Sequence, residues 1–93
     1  MEFEWDENKN LINQKKHHVS FEVASYVFCD ENHIEFYDYE HSTADEDRYV
    51  AIGLVQDVLY VVFTERKDAI RLISARKATA QERREYYDDS FYY

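Results

Sequence analysis

The chain has 93 residues, with 11 Lys+Arg against 20 Asp+Glu, one Cys, one Gly and no Pro. That length supports one domain, residues 1–93, in which folding hides only about 60–65% of the unfolded surface. One cysteine excludes an internal disulfide framework, and a 45% apolar share with 17% aromatics argues against intrinsic disorder despite a net charge of -9. The longest apolar runs, residues 50–55 and 58–63, fall well short of the roughly 20 residues that span a bilayer. The acidic opening Met-Glu-Phe-Glu-Trp-Asp lacks the pattern of a secretory leader, so a soluble, cytoplasmic protein is expected.

In chain order, Phe3-Glu4-Trp5 alternates as a short edge strand does. Asp6 can cap a helix over residues 7–16, with Glu7 near its positive end and a narrow contact stripe of Leu11 and Ile12. Ser20 can cap a second helix that places Phe21, Ala24, Val27 and Phe28 on one side. Ile34 and Phe36 alternate with polar neighbours in a half-buried strand, and residues 38–47 form an acidic loop. Residues 48–55 and 58–64 are strands joined by a tight turn at Gln56-Asp57 that lacks the preferred glycine. Residues 69–76 alternate again, with Ile70, Leu72 and Ser74 on one face and Arg71, Ile73 and Ala75 on the other. Thr79-Ala-Gln-Glu82 fits a capping box that opens a last helix over residues 80–88. Residues 88–93 read as a flexible polar-aromatic tail. The expected fold is α+β, a small antiparallel meander with helices on one face.

Charge is unevenly distributed. Residues 1–47 hold 13 acids and three lysines, and the stretch 29–47 holds eight acids with no Lys or Arg. Residues 66–84 hold seven bases and two acids, a concentrated basic window in an acidic chain. Such a window is either a solvated face or a surface for anions.

Metal and cofactor chemistry find little support. His17, His18, His33, His41 and Cys29 have no zinc-finger or HExxH spacing, and the single glycine excludes a Gly-rich phosphate loop. Cys29 stands beside Asp30 and Glu31, whose charge disfavours a thiolate, so a structural role is expected. Metal-free RNA cleavage needs a base for the ribose 2′-hydroxyl, an acid for the leaving 5′-oxygen, and cations for the phosphorane. Lys16, His17, Glu22, Arg48, Arg66 and Arg76 are residues of those types. The structural alternative for the arginines is a solvated charge or a carboxylate pair.

As an ordered string the residues say more. Phe3-Glu4-Trp5-Asp6, Lys9, Asn13, Lys16-His17 and Val19-x-Phe21-Glu22-x-Ala24 are followed by His41-Ser42 and Asp45-Glu46-x-Arg48-Tyr49-x-Ala51-Ile52-Gly53. Val61-Val62-Phe63-Thr64-Glu65-Arg66 and Ile70-Arg71-Leu72-Ile73-Ser74-Ala75-Arg76-Lys77-Ala78 come next, then Glu82-Arg83 and Tyr86. Over residues 3–87 this resembles the BrnT-type toxins of type II toxin–antitoxin pairs. The resemblance implies a RelE-like fold and a ribonuclease that inhibits translation by cutting RNA. It further implies a BrnA-type antitoxin with a ribbon-helix-helix DNA-binding region, so that DNA is reached only through that partner.

Carried over by position, Lys16 and His17 match the family's Lys-His pair, as acid, base or phosphate contacts. Glu22 matches an acidic position and would be a base or orient His17, whereas structurally it would support a helix N-terminus. Arg48, Arg66 and Arg76 match arginines of the later motifs, as phosphate and transition-state contacts. Alternatively, Arg48 pairs with Asp45 or Glu46, and Arg66 is a solvated turn residue. Two departures stand out. His18 replaces the glycine usual after Lys-His, putting a Cβ where glycine avoids strain, and the charge of -9 is unusual for an RNA-cutting protein. The competing functional reading is a catalytically inactive corepressor that binds its antitoxin.

Overall fold

The computed structural model describes residues 1–92. Strand β1 (Glu2–Glu4) leads into helix α1 (Glu7–His17) and the short helix α2 (Phe21–Ala24), which continues as one 3-10 segment, Ser25–Cys29. Strands β2 (Ile34–Tyr37), β3 (Tyr49–Val55), β4 (Asp57–Arg66) and β5 (Ala69–Lys77) follow, then helix α3 (Ala80–Tyr92). The helix α3 thus takes in most of the expected tail, and Tyr93 lies outside the described residues.

The sheet has five strands in the order β1-β5-β4-β3-β2. The meander from β2 to β5 is antiparallel as expected, but β1 pairs parallel to β5, Phe3 opposite Ile70, so the sheet is mixed. Neighbourhood in sequence could not show this, because the partner of β1 lies at the far end of the chain. Helices also cover both faces rather than one. Phe21, Ala24 and Val27 pack with Ala51, Leu59, Val61, Phe63, Leu72 and Ala75 on the first face. On the second face Ala78 and Tyr86 pack with Val50, Ile52 and Val58. The Tyr86 hydroxyl donates to Asp30 at 2.5 Å and fastens α3 across the sheet.

The expected alternation in β5 fails at one residue. Val62 pairs with Ser74 and Phe63 with Leu72, leaving Ile73 as a bulge. Leu72 and Ala75 consequently share the first face, and Arg76 is turned to the second face opposite Tyr60. A strict period of two would have put Arg76 on the first face with Leu72.

The attachment of α1 also differs from expectation. Leu11 and Ile12 are exposed, and the buried side chains are Asn10 and Asn13. Caps at Asp6 and Ser20 form as read from the sequence, Asp6 accepting from Asn8 and Lys9 and Ser20 from Val23. Gln56 and Lys67 take φ of 63° and 51° in the two hairpin turns, the conformation that glycine would relieve. The one glycine is spent elsewhere: a Cβ on Gly53 would stand 2.8 Å from Val27 Cγ1 and 3.1 Å from the Val27 carbonyl.

Candidate functional site

Beyond Arg71 the outer edge of β5 has no strand partner, and α1 takes that place. Asn13 acts as a strand surrogate: its Nδ2 donates to the Ala75 carbonyl at 2.8 Å and its Oδ1 accepts from the Ala75 amide at 3.2 Å. Nδ2 also donates to the Val19 carbonyl at 2.8 Å, fixing the turn after α1. Asn10 repeats the device one turn earlier, accepting from the Phe21 amide at 2.9 Å. These bonds satisfy buried backbone groups that would otherwise carry the full desolvation penalty, and they set the C-terminal turn of α1 against β5.

That turn carries Lys16 and His17. His18 ends the helix at φ 59°, ψ 28°, its amide donating to the Gln14 carbonyl at 2.9 Å. The left-handed residue expected at the family's glycine position is therefore a histidine, at a conformational cost of about 1–2 kcal/mol. Lys16 and His17 line a shallow cleft of about 190 Å³ with Lys9, Ile12, Asn13, Ile73 and Ser74. Desolvation, then the positive charges of Lys16, Arg76 and His18, hold the His17 imidazole below its ordinary pKa of 6.5. That shift favours the neutral imidazole at neutral pH, in a cationic field.

Arg76 stands on the second face at the same end. Its guanidinium lies over the Tyr60 ring, 3.9 Å from the centroid. Glu82 grips it at both ends, Nη1–Oε1 at 2.8 Å and Nη2–Oε2 at 3.0 Å. The Glu82 hydrogen bonds raise the Arg76 pKa further, so the group is permanently cationic.

The other sequence candidates do not join this cluster. Glu22 is exposed and accepts from Asn10 Nδ2 at 2.9 Å. Its anchor precedes His17 by two helical turns, about 10 Å along α1, so it does not orient that ring. Arg48 and Arg66 lie toward the opposite end of the sheet, about 13 Å and about 20 Å from the level of Arg76 along the strands. Both pair with Glu46, at 2.8 Å and 3.5 Å, and Arg48 holds the Glu46 carboxyl below its ordinary range. A larger cleft of about 560 Å³ opens there, but Asp45, Glu46, Asp47 and Glu65 line it with Arg66 alone against them. That cleft repels a phosphate.

The basic window of residues 66–84 is accordingly not one surface. Arg66 and Lys67 sit at the acidic end, Arg71 pairs with Glu4 at 3.5 Å, and Lys77 pairs with Asp57 at 3.5 Å. Cys29 is exposed rather than packed. Asn13, which clamps Ala75, and Tyr60 and Glu82, which hold Arg76, have no site role in the sequence reading. Glu82 was legible as a helix cap, and its bonds with Thr79 form as expected. Nothing in the sequence alone joined that cap to Arg76. Among the described residues, no three His, Cys, Asp or Glu side chains converge as metal ligands, and no helix is long and apolar enough to cross a membrane.

Residues 5–82 match the family model of the ribonuclease toxin BrnT of type II toxin–antitoxin systems. The fold is similar to the 1.1 Å crystal structure of the Brucella abortus ribonuclease toxin BrnT, with a TM-score of 0.65 and 27% identity. The likeness covers 85% of this chain and 97% of the Brucella protein. A comparison with curated proteins gives no match. With the family model spanning both strands of the Arg76 end and the whole of α1, the chain belongs to the BrnT family of ribonuclease toxins of type II toxin–antitoxin systems.

Proposed function

We propose that this toxin is a metal-independent endoribonuclease that inhibits translation by cutting RNA in the cytoplasm, and that a BrnA-type ribbon-helix-helix antitoxin neutralises it. The observation that carries the reading is the His17 imidazole that shares a cleft with Lys16 at the β5 edge and is held below its ordinary pKa by burial and by the charges of Lys16, Arg76 and His18. His17 takes the proton of the ribose 2′-hydroxyl, and the 2′-oxygen attacks the adjacent phosphorus. Arg76 and Lys16 hold the charge that gathers on the phosphorane oxygens. The Lys16 ammonium gives a proton to the departing 5′-oxygen, leaving a 2′,3′-cyclic phosphate and a 5′-hydroxyl. Arg48, Arg66 and Glu22 have no step in this scheme.

The test is incubation of the purified chain with single-stranded RNA in EDTA, followed by analysis of the product ends. Cleavage to cyclic-phosphate ends supports the reading, and cleavage only on adding a divalent metal contradicts metal independence. The inactive-corepressor reading draws on the carboxylate already seated on Arg76 and on the charge of -9. A chain that binds its antitoxin yet neither cuts RNA nor arrests growth would establish it.

A further inference from the structure

Arg76 is fixed more firmly than a surface cation needs to be. The Tyr60 ring supports the guanidinium from below at 3.9 Å. Nη1 donates to Glu82 Oε1 at 2.8 Å and to the Lys77 carbonyl at 3.2 Å, and Nη2 donates to Glu82 Oε2 at 3.0 Å. A guanidinium has five N–H donors in a rigid plane. These contacts occupy both Nη1 hydrogens and one on Nη2, leaving the Nε–H and the outer Nη2–H. Those two lie side by side on one edge, the fork that fits two oxygens of a phosphate. Among the described residues nothing accepts from that edge.

Glu82 is itself held in place. Its Oε1 accepts from the Thr79 amide at 2.9 Å, and its own amide donates to Thr79 Oγ1 at 3.2 Å. The carboxylate is therefore anchored to the first turn of α3 and cannot swing with a mobile side chain. Its side chain is only 19% exposed. Fixed carboxylate, fixed ring and strand backbone leave the guanidinium one orientation.

We infer that Glu82 and Tyr60 are positioning residues of the ribonuclease site, locking the Arg76 guanidinium so that its Nε–Nη2 edge is presented to an RNA phosphate. This rests on the reading of Arg76 as a phosphate contact. The carboxylate has a second effect of opposite sign, since it offsets part of the charge that attracts RNA. Removing its charge should therefore leave binding as tight or tighter while slowing the chemical step, because a small misplacement of a catalytic contact lowers rate steeply. A merely structural Glu82 would change stability and leave the rate per folded molecule alone.

The experiment uses the full chain as wild type, Glu82→Gln, Tyr60→Leu and Tyr60→Phe, with folding checked by thermal melting. Glutamine preserves the capping box, and phenylalanine preserves the ring face. Expected for Glu82→Gln is a kcat on RNA lowered about tenfold or more with KM unchanged or reduced. Tyr60→Leu should lose rate similarly, and Tyr60→Phe should recover most of it. A Glu82→Gln kcat within twofold of wild type, or above it, overturns the proposal, the latter showing that Glu82 masks Arg76. A second measurement follows the Arg76 Nε–H NMR signal on adding a 2′-O-methyl RNA oligonucleotide, which cannot be cut. The signal should shift in wild type and respond weakly in Glu82→Gln. Should wild type cut no RNA, the ribonuclease reading fails, and the NMR titration alone decides: a shift that depends on Glu82 upholds the positioning, and no shift in wild type overturns it.

Discussion

The two ends of the sheet carry the same residue type in opposite settings. At one end Arg76 lies over Tyr60, with one carboxylate oriented away from a free guanidinium edge, and its charge reaches His17 in the neighbouring cleft. At the other, Arg48 and Arg66 share Glu46, which lines a cleft that Asp45, Asp47 and Glu65 make anionic. The difference teaches that net charge and arginine count are poor guides to where a surface suits a phosphate. What matters is whether a cation keeps an unpaired edge and how many further acids stand around it. A chain of net charge -9 can thus keep one end suited to phosphate.

The contrast can be broken or sharpened by substitution. The largest effect is expected for His17→Ala, which removes the proposed base and should lower RNA cleavage by about 10²–10⁴-fold, measured as single-turnover rate on folded protein. Cleavage that persists within tenfold would move the chemistry elsewhere. Next, Asn13→Ala strips the partner from the buried Ala75 amide and carbonyl. It should destabilise the chain by about 2–4 kcal/mol in denaturant unfolding and loosen the turn that holds His17. An unchanged midpoint would show that water replaces the asparagine.

A subtler test reads pH. With the His17 pKa held below 6.5 by burial and by its cationic neighbours, the acid limb of kcat/KM should inflect below 6.5 and activity should be full at neutral pH. A depressed folded pKa also means that the stability share of this residue is present above 6.5 and is lost as pH falls through the folded value. Arg76→Ala removes one of the depressing charges, so the His17 titration followed by NMR should move upward. A shift of the opposite sign, or none, would separate the two groups. The smallest effect concerns the helix end. His18→Gly should raise stability by about 0.5–1 kcal/mol by relieving the left-handed residue, read as a higher melting temperature.

Much of the fold was open to sequence reasoning because it depends on local patterns. The caps at Asp6, Ser20 and Thr79 and the meander from β2 to β5 follow from spacing and hydrogen-bonding chemistry. The family string identified the chain for the same reason. What stayed hidden depends on long-range placement. The parallel pairing of β1, the bulge at Ile73 that turns Arg76 to the second face, and the Asn13 clamp join residues far apart in sequence. The basic window looked continuous in sequence, yet β5 carries its members to opposite ends of the sheet. Of the six candidate residues, Lys16 and His17 share a cleft and Arg76 stands at the same end of the sheet, whereas Glu22 is anchored at Asn10 and Arg48 and Arg66 lie at the opposite end.

The most direct test of the division between the two ends exchanges their arginines one end at a time. Arg76→Ala should lower the RNA cleavage rate by about 10²–10³-fold, whereas the double variant Arg48→Ala/Arg66→Ala should stay within about threefold of wild type, as expected for ion pairs at a surface. Equal losses at both ends, or a larger loss in the double variant, would contradict the assignment of the site to the Arg76 end.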